Sequence, residues 1–211
     1  MMKSIFMACV LLISVVACRG QSNPPQIKNA ELIGGPCEGC EAIFEFENFN
    51  VLNAIDTLPE FSTANRKLKI TGTIFQSDGK TPADNVVLYV YHTNQEGQYA
   101  PPENAHGWAN RHGKLRGWIK TDHTGQYTFF TQEPGAYGNQ FPHIHATILE
   151  PDGRYYYIEA FRFKQDNQDR EFSLPALDNR GGSGMVSLNQ EDHLLIAERD
   201  IILGLNIPGY H

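Results

Sequence analysis

The sequence predicts an all-β domain, a sandwich or a barrel, on three observations. Short apolar runs of strand length recur from Leu68 to Leu203. Gly and Pro break them at strand spacing, 19 and 12 of them in 211 residues. No run carries the apolar period of a long amphipathic helix. Strands without intervening helices leave sheet-on-sheet packing, or a closed sheet, as the way to bury a core. The length suits one domain with a sizeable core.

The chain begins with Lys3, an apolar run from Ile5 to Ala17, and Cys18. One positive charge, a short apolar stretch and a small-residue end predict a signal peptide over 1–17. The run is too short for a comfortable membrane span. Val15-Val16-Ala17-Cys18 has the form of a bacterial lipobox, which would make Cys18 the lipidated mature N-terminus and a membrane anchor. The alternative is an ordinary cleaved signal with a cysteine at its boundary. Arg19 after that cysteine favours the outer membrane of a Gram-negative envelope. Residues 18–33 are polar, with Pro24-Pro25, and predict a flexible tether. The domain is then expected over 34–211.

Cys37 and Cys40 are the two cysteines left to that domain, and in an exported chain a local disulfide is the default. A Cys-x-x-Cys can also be a redox motif or half a zinc site. No second pair exists for zinc, and no thioredoxin-like βαβ pattern surrounds it. Ala42 to Asn50 alternates in a way that predicts an early strand, while 51–66 carries few signals. Leu68–Phe75 and Asn85–His92 read as strands, the first closed by Ser77-Asp78-Gly79. Residues 93–117 form a long excursion, and loops of that length are more often functional than idle. Trp118–Thr121 and Gln126–Thr131 predict a hairpin around Asp122–Gly125. Pro151-Asp152-Gly153 turns the chain into an Arg154–Phe163 strand, with Tyr155 and Tyr157 expected in the core and Tyr156 on the other face. His193–Leu203 gives the last strand.

The chemistry gathers in Pro134-Gly-Ala-Tyr137-Gly-Asn-Gln140-Phe-Pro-His143-Ile-His145. On a strand, His143 and His145 share a face and can share one metal ion. Tyr137 follows a Pro-Gly turn that can bring it over the same face. A bound cation can hold its phenol deprotonated. Imidazole with anionic oxygen suits a fairly hard ion, ferric iron better than zinc or copper(I). The plainer alternative is strand alternation beside a turn aromatic. Seven acidic residues in excess of basic ones, with no basic run, argue against nucleic acid as a partner. No Walker loop, Rossmann fingerprint or Gly-x-Ser-x-Gly elbow is present.

This stretch resembles the iron-binding segment of the intradiol ring-cleavage dioxygenases, the catechol and protocatechuate dioxygenases. Those enzymes place a tyrosine after a Pro-Gly turn, then His-x-His, and an earlier tyrosine in a Gly-x-Tyr after a strand. Here Val86–His92 leads to Gly97-Gln98-Tyr99, and Leu68–Ile74 with Asp78-Gly79 looks like the family's opening hairpin. The resemblance implies a β-sandwich of the intradiol type with long loops and little helix. It implies one Fe(3+) per chain on Tyr99, Tyr137, His143 and His145. It also implies a catechol-type aromatic diol and O2 as substrates, a muconate-type product, and Tyr137 taking a substrate proton. Homo-oligomers are possible.

The chain departs from the family pattern at three positions. Gln140 stands where the family has an arginine that stabilises charge on the ring; its catalytic role would be a hydrogen bond to a substrate oxygen, without the arginine's full charge. Tyr89 and Tyr91 stand where it has an acidic residue and a tryptophan. Arg162 would replace the arginine if its strand borders the site; otherwise it is a surface ion pair. Trp108 is either loop core or a wall of the aromatic pocket. His106, His112 and His123 read as surface histidines, and His193 and His211 as bystanders. The function of a second class that fits is a non-catalytic sandwich binding an aromatic or carbohydrate ligand on the same scaffold.

Overall fold

The computed structural model describes residues 29–46, 48–163 and 178–211. The expected signal peptide, the expected lipidation at Cys18 and most of the expected tether lie outside them. Twelve strands are found among the described residues, several very short: β1 (Glu31–Leu32), β2 (Ile55–Thr57), β3 (Lys67–Phe75), β4 (Val87–Tyr91), β5 (Arg116–Lys120), β6 (Gln126–Gln132), β7 (His143–Leu149), β8 (Arg154–Phe163), β9 (Met185–Val186), β10 (Asn189–Glu191), β11 (Leu194–Glu198) and β12 (Ile201–Ile202). The α-helix described is one turn, α1 (Ala109–His112). The strands form two sheets. One runs β1-β8-β7-β4-β5 with β9 beside β8, the other β10-β11-β3-β6-β2 with β12 beside β3. The architecture is an all-β sandwich.

Strand alternation builds the core between the sheets. Leu88, Val90, Ile144, Ile148 and Phe161 face Leu68, Ile70, Tyr127, Phe129 and Ala197, all essentially buried. The first sheet is covered on its other face as well. Val87, Tyr89 and Leu149 point away from the core and meet Ala42, Ile43 and Phe46 of the N-terminal segment. That is why β4 is buried at every position from Val87 to Val90. A strand enclosed on both faces reads as a continuous apolar run.

Five expectations change here. Ala42–Asn50 is not a strand: Cys40–Phe44 is a 3-10 turn, entered through Gly39 at φ 88°. Cys40, Ile43 and Phe46 recur every third residue and are buried, the period of a 3-10 turn rather than of a strand. The Trp118–Thr131 segment is not a hairpin either. β5 pairs β4, while β6 pairs β3 and β2, so the Asp122–Gly125 turn carries the chain from one sheet to the other. The last strand is two pieces, both parallel to β3 and broken at Arg199-Asp200. The tyrosine triplet is inverted: Tyr156 is in the core, and Tyr155 and Tyr157 lie on the outer face. Finally, the chain joins the sheet at Glu31, ahead of Gly34, through pairing of β1 with β8.

Tyr156 shows how the core handles a polar tip. Its hydroxyl donates to Glu150 Oε1 at 2.7 Å and accepts from the Gly204 amide at 3.2 Å. Burial raises the Glu150 carboxyl above its usual range. Tyr156→Phe leaves that buried acid one donor short and is expected to cost about 1–3 kcal/mol. Urea denaturation reads this directly, and an unchanged midpoint would show that the hydroxyl supports nothing.

Candidate metal centre

The two histidines come from the first turn of β7. Ile144 and Ala146 point into the core, so His143 and His145 point out. The register with β8 slips between Ile144 and Ala146, a bulge centred on His145. Bulges re-aim a side chain next to a site. His143 Nδ1 donates to the Phe141 carbonyl at 2.6 Å, which in the neutral ring leaves the lone pair on Nε2.

The tyrosines come from two loops held backbone to backbone. Asn94 is the hub. Its carbonyl accepts from the Gly97 and Gly135 amides at 3.0 and 2.8 Å. Its side-chain oxygen accepts from the Glu96 and Gln98 amides. Thr93 Oγ1 donates to the Gly135 carbonyl at 2.9 Å. A Cβ on Gly97 would stand 2.2 Å from the Ala136 carbonyl oxygen, and one on Gly135 2.3 Å from that of Gln95. Only glycine allows this approach. It places Tyr99 and Tyr137 side by side.

The four donors meet. His143 Nε2 is 3.0 Å from His145 Nε2, which is 3.0 Å from the Tyr99 hydroxyl, itself 3.5 Å from the Tyr137 hydroxyl. Ligand atoms about 2.0–2.1 Å from a first-row ion and at right angles around it stand about 3 Å apart. The set therefore fits a metal. Among the described residues no group of three His, Cys, Asp or Glu side chains forms a site, so half of this donor set is phenolic. Burial pushes His145 down to about 3, helped by His143, and pushes His143 below its ordinary value. Both rings are in the neutral form that binds metal. Burial and the bond to Tyr137 push the Tyr99 phenol up, so only a strong bound charge would ionise it.

The remaining candidates fall in different places. Gln140 closes the tight turn after Tyr137, its amide donating to the Tyr137 carbonyl at 3.0 Å. Its side chain is exposed and bonds to none of the four donors. Arg162 is opposite His143 across the β7–β8 ladder, and its charge lowers both histidines. It also pairs with Glu159 at 3.1 Å, the ion pair of the plainer expectation. Cys37 and Cys40 are joined by a disulfide. Trp108 packs on His112 with ring centres 5.1 Å apart and belongs to the loop packing.

His112 is not a surface histidine. It is buried, bonds through Nδ1 to the Tyr89 hydroxyl at 2.9 Å, and stacks on Tyr91 at 3.7 Å. Tyr91 in turn stacks on His145 at 4.5 Å. Tyr91 and His112 are thus supports of the site that sequence reasoning did not find. The shared face of Tyr89 and Tyr91 on β4 was visible, but nothing local placed His112 over them. His92 was also missed. It is buried between the Thr93 carbonyl and Thr131 Oγ1, 2.7 Å from each.

Neither a family model nor a curated sequence matches the chain. Solved structures do match. The dioxygenase domain of a dioxygenase–carbohydrate-binding protein fusion from Streptomyces sp. SirexAA-E is 21% identical, with TM-score 0.53, over 70% of this chain and 85% of that one. An intradiol ring-cleavage dioxygenase from Tetranychus urticae is 17% identical, with TM-score 0.52, over 76% and 88%. Catechol 1,2-dioxygenase from Acinetobacter sp. ADP1 is 21% identical, with TM-score 0.50, over 71% of this chain and 56% of that one. At these identities the likeness is one of fold: the sandwich is that of the intradiol dioxygenases.

Burial lowers His92 and His112 to about 4 from an ordinary 6.5. Above 6.5 each is neutral whether the chain is folded or not. Below it the unfolded chain takes up a proton at each and the folded chain does not. Stability must then fall as pH drops from 6.5 towards 4. The urea midpoint of the metal-free protein should be lower at pH 5 than at pH 7, and less so in His92→Gln. Equal midpoints at the two pH values would contradict the burial assigned to these rings.

Proposed function

We propose that this chain is an exported non-haem iron(III) dioxygenase that opens catechol-type rings between the two hydroxyl-bearing carbons to give muconate-type diacids. The observation that carries the reading is the convergence of the Tyr99, Tyr137, His143 and His145 donor atoms on a sandwich of the intradiol dioxygenase type. Those four side chains would hold the iron. When bound, ferric iron supplies a Lewis acid that draws electron density from a catecholate and makes its ring reactive toward O2.

The chain's own residues do the rest. The neutral imidazoles bind without having to lose a proton. Tyr137 is half-buried on a loop tip, its oxygen 3.5 Å from that of Tyr99; once deprotonated beside a bound cation, its phenolate would accept a proton from a catechol hydroxyl. Gln140, uncharged and exposed, does not supply a cation to the ring. Arg162, opposite His143 on the neighbouring strand and paired with Glu159, would be the cation that takes the arginine's place. Export and anchoring at Cys18 rest on the signal-like N-terminus. The Cys37–Cys40 disulfide supports an oxidising compartment. The uncharged Gln140 is also the feature that favours the second reading, a binding module that keeps the scaffold without turnover.

Iron loading tests the proposal. One iron per chain with a broad visible tyrosinate band, shifted by added catechol, is the expected result. Tyr137→Phe should alter that band and lower oxygen uptake roughly 100-fold. His145→Ala should prevent iron retention. A protein that stays colourless after anaerobic ferrous loading and re-oxidation would end the dioxygenase reading. A coloured protein that shifts with catechol but takes up no oxygen would leave the binding module.

A further inference from the structure

A cavity of ≈ 300 Å³ lies against the outer face of the first sheet, beside the donor cluster. One wall is the Pro36–Cys40 loop with Glu38. The other is Tyr91, His145, Thr147 and Tyr157. His145 belongs to both places: its Nε2 is in the donor cluster and its ring lines the cavity.

The loop wall is fixed at several points. The disulfide closes it, Thr147 Oγ1 lies 3.9 Å from Cys40 Sγ, and Glu38 pairs with Arg111. Gly39 lies flat on the His112 ring, where a Cβ would be 2.6 Å from Nε2. Size is therefore informative. An apolar cavity of roughly 150 Å³ holds one benzene. This cavity has about twice that room.

Its charge is informative too. No lysine or arginine lines it, and the one carboxylate that does is Glu38. A carboxylate entering would lose water and find no lysine or arginine in the lining, while the nearest cation, Arg111, is already paired with Glu38. An uncharged group would meet two tyrosine rings, a proline and a threonine methyl.

We propose that this cavity receives the ring substituent of the substrate, so that the chain selects catechols carrying an uncharged group of about ring size over carboxylated catechols. This rests on the dioxygenase reading. The walls that select are Glu38 by charge and Thr147 and Tyr157 by volume.

The test is a titration of the iron-loaded protein, followed by the visible band rather than by turnover. The probes are catechol, 4-tert-butylcatechol and 3,4-dihydroxybenzoate, each affinity taken relative to catechol in the same variant. The alkyl catechol should bind at least about tenfold more tightly than the carboxylated one. Glu38→Lys, at an exposed position, should narrow that gap roughly fivefold. Thr147→Phe should fill the cavity and weaken the alkyl catechol relative to catechol about tenfold. If catechol shifts the band but the three affinities keep one ratio in wild type and Glu38→Lys, the cavity does not take the substituent and this inference falls alone. If no diol shifts the band, the dioxygenase reading falls and takes this inference with it.

Discussion

The donor cluster depends on the backbone contact organised by Asn94. Tyr99 and Tyr137 are separated by 38 positions and sit on different loops. Neither loop is held by a strand at its tip. What fixes them is one carbonyl accepting two amides, and two glycines that let the chains touch without a Cβ between them. Moving the loops apart by the width of a methyl group would take the phenols out of reach of the histidines. The histidines themselves need less support, because alternation on β7 already aims both rings outward.

A second constraint acts on the other side of His145. Its ring stacks on Tyr91, Tyr91 on His112, and His112 is held by the Tyr89 hydroxyl and by the flat face of Gly39. The N-terminal segment therefore does more than cover the outer face of the sheet. It closes a column of rings that ends on a candidate ligand. Stacked rings a few ångströms apart are worth about 1 kcal/mol a pair beyond the area they bury. Their larger effect here is to leave His145 one orientation. Tyr89 and Tyr91, which depart from the family pattern, are the residues that make this column possible.

The sequence showed the class of the fold and picked out four side chains that the fold brings together, because both are written in local patterns. His-x-His on an apolar run, Gly-x-Tyr after a strand and glycine-punctuated strands survive without knowledge of neighbours. What it hid was set by contacts distant in the chain. The Asp122–Gly125 turn looks like a hairpin turn, and only the partners of β5 and β6 reveal a crossover. Tyr155 and Tyr157 are as apolar as Tyr156. Which of them faces the core follows from register with β7, where Tyr156 lies opposite Ile148. His112 sits among polar residues that predict exposure, yet the loop folds it onto β4. In Ala42–Phe46 the alternation of phenylalanine and glutamate misled, because the residues that are buried, Cys40, Ile43 and Phe46, follow a three-residue period that shares only Phe46 with the alternating phenylalanines.

The electrostatics of the cluster follow from burial without a carboxylate. Two imidazoles held neutral and a phenol held protonated carry no net charge, so these side chains do not face the desolvation penalty of a buried ion pair. The same burial means that ionising the Tyr99 phenol requires a strong cation close by. On the proposed reading, metal uptake must release phenolic protons, and a returning proton has Tyr137, the less constrained of the two, as its nearest acceptor. Arg162 could not replace the metal in this role. Its charge is already shared with Glu159, and it lies beside the histidines, whose protonation it opposes.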